Sequence, residues 1–279
     1  MPDDPLLLGP GEGEAIGTRA LIKAGRDELV LTEFNYEPGQ DGPRRHIHRH
    51  HADGFYVLEG KLGITLDEED LVLDPGAFVL IPPEVIHTFR NPSDEPGRYL
   101  NLHAPGMGFD EYLRGRFDEF DQDYDVPPGS GRPISEAHLL EPGEGEELEL
   151  GPSRSCVKAG VDDGLGSLAV LETTVAPGFP GPVPHLHEAM VDSFFVLEGT
   201  LTLELDGRTV EAPAGSYAMV PPGNVHTFSN PGDEPVRVLN LMAPAGVEGY
   251  LREVAAIGGP LDPAGMAEIA SRYDFRAAI

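Results

Sequence analysis

Phe55-Tyr56-Val57-Leu58-Glu59-Gly60 recurs as Phe194-Phe195-Val196-Leu197-Glu198-Gly199, 139 residues further along. The same offset carries His46 to His185, His48 to His187, Asp53 to Asp192, Gly76 to Gly215, Pro82 to Pro221, His87 to His226, Asn91 to Asn230 and Asn101 to Asn240. Agreement at glycine, proline and polar positions means that the two stretches share a backbone, because Gly and Pro fix φ and turn type. Self-similarity at this distance marks a duplicated domain. Outside the block the match loosens. Lys23-Ala24-Gly25 pairs with Lys158-Ala159-Gly160 at an offset of 135, so four residues have entered in between, as loops permit at little cost.

Within each copy the pattern is that of short strands. Leu201-Thr202-Leu203-Glu204-Leu205 alternates cleanly, and Leu29–Phe34 and Leu62–Leu66 read the same way. Turn signals such as Glu37-Pro38-Gly39, Asp74-Pro75-Gly76 and Asp206-Gly207 separate them. The 35 Gly and 28 Pro are spread along the chain rather than massed in a tract, which predicts an all-β sandwich or barrel in each copy. Short helices are expected to close each half, at Asp110–Arg114 and at Gly249–Val254 with Ala264–Tyr273. The connector Pro127-Pro128-Gly129-Ser130-Gly131-Arg132-Pro133 sets a boundary between domains 1–132 and 133–279. Leu148-Glu149-Leu150 and Leu6-Leu7-Leu8 are taken as matching strands, each pairing with the other barrel.

Composition excludes several partners. The net charge is −29, shared evenly: 12 Lys and Arg stand against 26 Asp and Glu in residues 1–135, and 7 against 22 in residues 136–279. Nucleic acid and anionic membrane surfaces need clustered cations, so neither is an expected partner. Cys156 is the single cysteine, which rules out an intrachain disulfide and fits a buried, inert thiol in a reducing cytoplasm. The start Met1-Pro2-Asp3-Asp4 lacks the basic region of a signal peptide, and Leu6-Leu7-Leu8 ends in Gly9-Pro10. No apolar run approaches the ~18 residues of a membrane span.

The chemistry sits in the repeated polar positions. His46-Ile47-His48 places two imidazoles on one face of a strand, since side chains two apart point the same way. Asp53 follows after a bend, and His87 must be returned by sheet closure from Gly76-x5-Pro82-x-Glu84-x2-His87-x3-Asn91. His185, His187, Asp192 and His226 repeat the set. Three imidazoles and a carboxylate suit a divalent transition metal. The spacing H-x-H-x4-acid-x6-G followed by G-x5-P-x-G-x2-H-x3-N resembles the two motifs of the cupin superfamily, and their duplication resembles the bicupins, among them quercetin 2,3-dioxygenase-like proteins, oxalate decarboxylases and seed storage globulins. The resemblance implies two jelly-roll barrels (double-stranded β-helices) with a metal, Fe, Mn, Ni, Cu or Zn, at the inner mouth of each.

Two departures from that pattern bear on the site. Asp53 and Asp192 stand where the family has glutamate, so each either ligates the metal or hydrogen-bonds a metal-bound water. Glu84 replaces the glycine that the second copy keeps as Gly223, which predicts strain if the turn wants positive φ. The surroundings also differ. Arg44, Arg45, Arg49, His50 and His51 flank the first set, Pro182, Val183, Pro184 and Met190 the second. The arginines either receive an anionic substrate or offset acidic neighbours, and His50 and His51 are expected exposed on a loop. His103, where the second copy has Met242, is a general base or a hydrogen-bonded core histidine. Phe55, Val57, Phe194 and Val196 are assigned to the pocket walls. The resulting expectation is a metal-dependent, quercetinase-like dioxygenase acting on a small aromatic or apolar molecule. In it Asp53 and His103 are catalytic, the first barrel is slightly favoured as the active one, and the chain works as a monomer or homodimer. A non-redox lyase, isomerase or cyclase and a non-catalytic binding or storage protein are the alternatives.

Overall fold

The computed structural model describes residues 4–258 and 263–278, with nothing stated of the side chains of Pro263 and Ala264. The described chain is all-β with a few short helices, and its strand pairs are antiparallel. Contacts divide it into two units: Gly13–Glu144 with Asp162–Ser167, and Gly145–Val161 with Leu168 onward plus the residues up to Glu12. We keep the cut at 132/133 as a proposal for where one half ends in chain order.

In the first unit a seven-stranded sheet runs His138–Leu140, Phe78–Ile81, Ala52–Glu59, Gly97–Ala104, Val30–Tyr36, Ala20–Gly25, Glu14–Ile16. It is accompanied by a three-stranded sheet of Glu69–Leu73, Leu62–Leu66 and His87–Arg90. The second unit repeats the order with Leu6–Leu8, Tyr217–Val220, Val191–Glu198, Val236–Ala243, Ala169–Val175, Ser153–Ala159, Glu146–Leu150. Its smaller sheet gains His185–Leu186 and Arg276–Ala277 beside His226–Ser229. The alternation in Leu201–Leu205 is realised as burial of Leu201, Leu203 and Leu205 with Glu204 exposed. The turn after it places Asp206 at φ 49 and Gly207 at φ 74, the pair of left-handed residues a two-residue hairpin requires.

The edge strands correct one expectation. Leu6–Leu8 does pair with Tyr217–Met219, but its counterpart is not Leu148–Leu150, which pairs with Ser153–Ser155 as an ordinary hairpin arm. The counterpart is His138–Leu140, paired with Phe78–Leu80. The sequence repeat is there on inspection: Leu7-Leu8-Gly9-Pro10-Gly11-Glu12-Gly13-Glu14 matches Leu139-Leu140-Glu141-Pro142-Gly143-Glu144-Gly145-Glu146. The expected closing helices are present as Phe109–Leu113, Glu248–Ile257 and Pro263–Ala270. Glu84 does take positive φ, 68°, and Gly223 takes 85°. Both donate a backbone N–H to the carbonyl of the second histidine of their unit, Glu84 to His48 and Gly223 to His187, each at 2.7 Å. The left-handed glutamate costs roughly 1–2 kcal/mol relative to glycine, and its carboxylate is spent on Arg132 (3.3 Å).

Candidate metal centres

His46, His48, Asp53 and His87 converge in the first unit, and His185, His187, Asp192 and His226 in the second; all eight are buried. Antiparallel pairing is what returns the distant third histidine. His46 faces His87 across a bridge, and His185 pairs with His226.

The imidazoles are oriented from behind. Nδ1–H of His46, His48 and His87 donates to the carbonyls of Arg44 (2.8 Å), Asp121 (2.6 Å) and Val85 (2.9 Å). His185 and His226 donate to Val183 (2.9 Å) and Asn224 (3.2 Å), and His187 donates to Asp274. Fixing the proton on Nδ1 turns every Nε2 lone pair inward, the arrangement metal-ligating histidines adopt. Burial, reinforced by the neighbouring imidazoles, pushes His46 down to about 2 and His185 to about 3, so both are neutral at pH 7, as ligation requires.

The carboxylates reach the same point. Asp53 Oδ2 lies 3.3 Å from His87 Nε2 and 3.7 Å from His48 Nε2. Asp192 Oδ2 lies 3.1 Å from His226 Nε2 and 3.8 Å from His187 Nε2. Donors bonding one ion at about 2.0–2.2 Å stand roughly 3–3.6 Å apart, so the four side chains fit a transition metal. His48 Nε2 and His87 Nε2 are buried with no hydrogen-bond partner, a state that costs free energy unless a metal takes the lone pairs. Burial opposes ionisation of Asp53, but His103, His48 and His87 outweigh it and hold the carboxyl well below its ordinary value. Asp192 is lowered in the same manner, chiefly by His226. Asn101 and Asn240 each donate to the other oxygen, Oδ1, at 2.5 Å.

Sequence reasoning missed Asp121 and Asp274. After the helix of each unit the chain returns across the barrel mouth, and the backbone carbonyl of this aspartate receives the second histidine, while its carboxylate accepts the following loop. Asp121 takes the N–H of Arg49 and of His50 (2.7 Å); Asp274 takes those of Glu188, Ala189 and Met190. A signal was available in the aromatic-Asp pairs Phe120-Asp121 and Tyr273-Asp274.

This crossing segment also overturns the expected exposure of His51. His50 is exposed, but His51 is fully buried, its ring 4.2 Å from that of His48 and 5.3 Å from Phe120. Its Nδ1 lies 3.0 Å from Asp121 Oδ2, and its Nε2 2.8 Å from His103 Nδ1. His103 Nε2 in turn lies 3.0 Å from Asn101 Oδ1 and 3.6 Å from Asp53 Oδ1, with its ring stacked on Phe109 at 3.7 Å. Two of the three arginines pair with acidic neighbours, Arg49 with Asp123 (2.7 Å) and Arg45 with Asp67 (3.8 Å), while Arg44 lies over the Tyr124 ring. Cys156 is buried, and burial raises its thiol pKa.

In the second unit the histidines open on a cavity of about 300 Å³. Its walls include Phe179, Phe228, Met242, Tyr250, Leu251, Met266 and Phe275 beside His185, His187 and Asp192. Phe194 and Val196, assigned to those walls from alternation, pack instead into the core with Leu201 and Leu203; Phe55 and Val57 do the same in the first unit. There aromatic side chains occupy the corresponding positions. Phe34, Tyr36, Phe55 and Phe89 interlock with ring centroids 4.7–6.2 Å apart. By strand register Phe34 and Tyr36 correspond to Thr173 and Val175, and Ala20 to Ser155.

Comparison with known proteins agrees with this architecture. The family model described as Cupin domain matches residues 32–103 and 171–242. The chain is 26% identical over 264 residues to quercetin 2,3-dioxygenase of Bacillus subtilis (strain 168), covering 80% of this chain and 78% of that one. Among solved structures, oxalate decarboxylase from Bacillus subtilis superposes with a TM-score of 0.62 at 16% identity, covering 88% of this chain and 78% of its own. Salicylate 1,2-dioxygenase from Pseudoaminobacter salicylatoxidans gives 0.62 at 13%, covering 89% and 86%.

Proposed function

This chain belongs to the cupin family, both of its repeats being matched by the domain model, and on that premise we propose that it is a metal-dependent dioxygenase acting on a small aromatic or otherwise apolar substrate in the second barrel. The observation that carries the reading is the junction of a three-histidine, one-aspartate donor set with an apolar cavity of about 300 Å³. The sequence slightly favoured the first barrel for its polar surroundings; its aromatic filling moves our choice to the second.

His185, His187 and His226 would hold the metal through Nε2, with Asp192 as fourth ligand or as hydrogen-bond acceptor for a bound water. A bound divalent transition ion supplies Lewis acidity toward a substrate oxygen and a meeting point for dioxygen. The chain's own residues supply the rest. Asn240 fixes the Asp192 carboxylate, the Asp274 crossing segment fixes His187, and Phe275, Tyr250 and Phe228 offer flat apolar faces that orient a ring and exclude water. The relative's name supports an aromatic substrate. In the first barrel we assign Asp53 and His103 to holding the metal site in shape. No described helix is long and apolar enough to cross a membrane, and we propose a cytoplasmic enzyme on the strength of its single cysteine.

The test is metal analysis of untagged protein followed by an oxygen electrode with quercetin. About one equivalent of transition metal per barrel and oxygen uptake coupled to loss of quercetin are expected. Metal-free protein that chelator does not destabilise would sink the reading. Turnover without oxygen uptake would replace it with the non-redox lyase, isomerase or cyclase.

A further inference from the structure

Most of the second barrel's cavity is apolar, and apart from the Tyr250 and Ser153 hydroxyls its polar side chains gather in two places. One is the donor set. The other is a pair of hydroxyls, Ser155 Oγ and Thr173 Oγ1, 2.8 Å apart on adjacent strands, and both residues line the cavity. Thr173 stands opposite Val238, two residues along its strand from Asn240, the residue that holds Asp192. Two residues of strand place the hydroxyl pair about 7 Å from the metal end.

We propose that Ser155 and Thr173 are specificity-determining residues, which receive a hydroxyl or carbonyl at the end of the substrate remote from the metal. The inference rests on the second barrel being the substrate site. Hydroxyls facing an apolar cavity are costly unless matched. One hydrogen bond between the two uses one of their two donor hydrogens and leaves the other, with unused lone pairs, to the cavity. The barrel does not need them for its own packing: at the same register positions the first barrel carries Ala20 and Phe34. The neighbouring Ser153 hydroxyl accepts the backbone N–H of Ala176 at 3.1 Å. The substrate class is therefore a flat apolar molecule with chelating oxygens at one end and a hydrogen-bonding group at the other. No arginine or lysine lines the described cavity, so the remote group is uncharged.

Anaerobic calorimetric titration of metal-loaded protein with two probes tests this. Quercetin carries hydroxyls remote from its chelating oxygens, and 3-hydroxyflavone carries the chelating oxygens alone. The native protein should prefer quercetin by about tenfold, the worth of one good hydrogen bond. Ser155→Ala, which installs the first barrel's residue, and Thr173→Val, of the same shape, should each erase most of that preference while leaving 3-hydroxyflavone affinity within about twofold. Metal content of both variants reports that the barrel is intact. An undiminished preference in both variants overturns the inference, and so does an equal loss for both probes, which would make the pair a shaper of the cavity. If 3-hydroxyflavone fails to bind the native protein, the substrate reading itself falls and this inference with it.

Discussion

The two barrels hold the same donors and differ in what stands in front of them. Four side chains converge in each, each Nδ1 is tied to a backbone carbonyl, and an asparagine fixes each aspartate. In the first barrel Phe34 and Tyr36 fill the interior, and His51 and His103 pack between the donor set and the rings of Phe109 and Phe120. In the second, Thr173 and Val175 are smaller and Met190 and Met242 replace the histidines, leaving a cavity of about 300 Å³. A duplicated domain can thus keep the same four side chains in both copies while the residues in front of them change from aromatic to small. Room is set by a handful of side chains that touch no ligand.

Removing one ligand from each barrel should have the largest effect. His187→Ala is expected to lower oxygen-coupled turnover roughly a thousandfold, the several kcal/mol a metal supplies. His48→Ala should leave turnover within about threefold, although each variant loses one metal equivalent. The reverse outcome would make the first barrel the active one.

Packing gives the next contrast. Phe34→Ala empties part of a filled interior and should destabilise the protein by about 3–5 kcal/mol in urea unfolding. Thr173→Ala, beside existing space, should cost less, about 1–2 kcal/mol, chiefly for the Ser155 hydroxyl left without its partner. Equal costs would mean that the two interiors are filled alike.

The crossing segments should matter through the metal. Asp121→Ala and Asp274→Ala remove the carboxylates that anchor the loop behind each second histidine. Each is expected to weaken metal retention of its own barrel by about 10–100-fold, read by competition with a chelator. A loss in both barrels from one variant would contradict the assignment of each segment to its own site.

The last contrast is with pH. Burial lowers His46 to about 2, His51 to about 4 and His185 to about 3 from an ordinary 6.5, and His103 lies well below it too. Between pH 7 and pH 5 the unfolded chain takes up protons that these folded groups refuse, so stability is present above about 6.5 and falls as the pH drops. Each such group contributes roughly 2 kcal/mol over that span, so the melting temperature of metal-free protein should fall by about ten degrees or more. His51→Met/His103→Met, which gives the first barrel the residues of the second, should make that fall shallower. An unchanged slope would show that this pair does not resist protonation.

How much of this was legible follows from the range of each interaction. The strands, the hairpin turn at Asp206-Gly207 and the eight donors could be read because they depend on neighbours in sequence and on one repeat offset. Positive φ at Glu84 could be read because Gly223 marks the turn in the other copy. The burial of His51 could not, since it is Phe120 and Asp121, some 70 residues away, that cover it. Pairing of His138–Leu140 was missed because a three-residue strand carries little pattern, although the Glu-Pro-Gly-Glu-Gly-Glu run beside it repeats Gly-Pro-Gly-Glu-Gly-Glu of the N-terminus.

By itself the sequence determined that this protein is a duplicated barrel with three histidines and an aspartate in each half, because periodicity and ligand spacing are local properties of the chain. How much free volume lies in front of each set was decided only by tertiary structure. Free volume is what remains after side chains from several strands, a helix and a returning segment have met, and exchanges such as Phe34 for Thr173 or His103 for Met242 show their effect only where those elements are brought together.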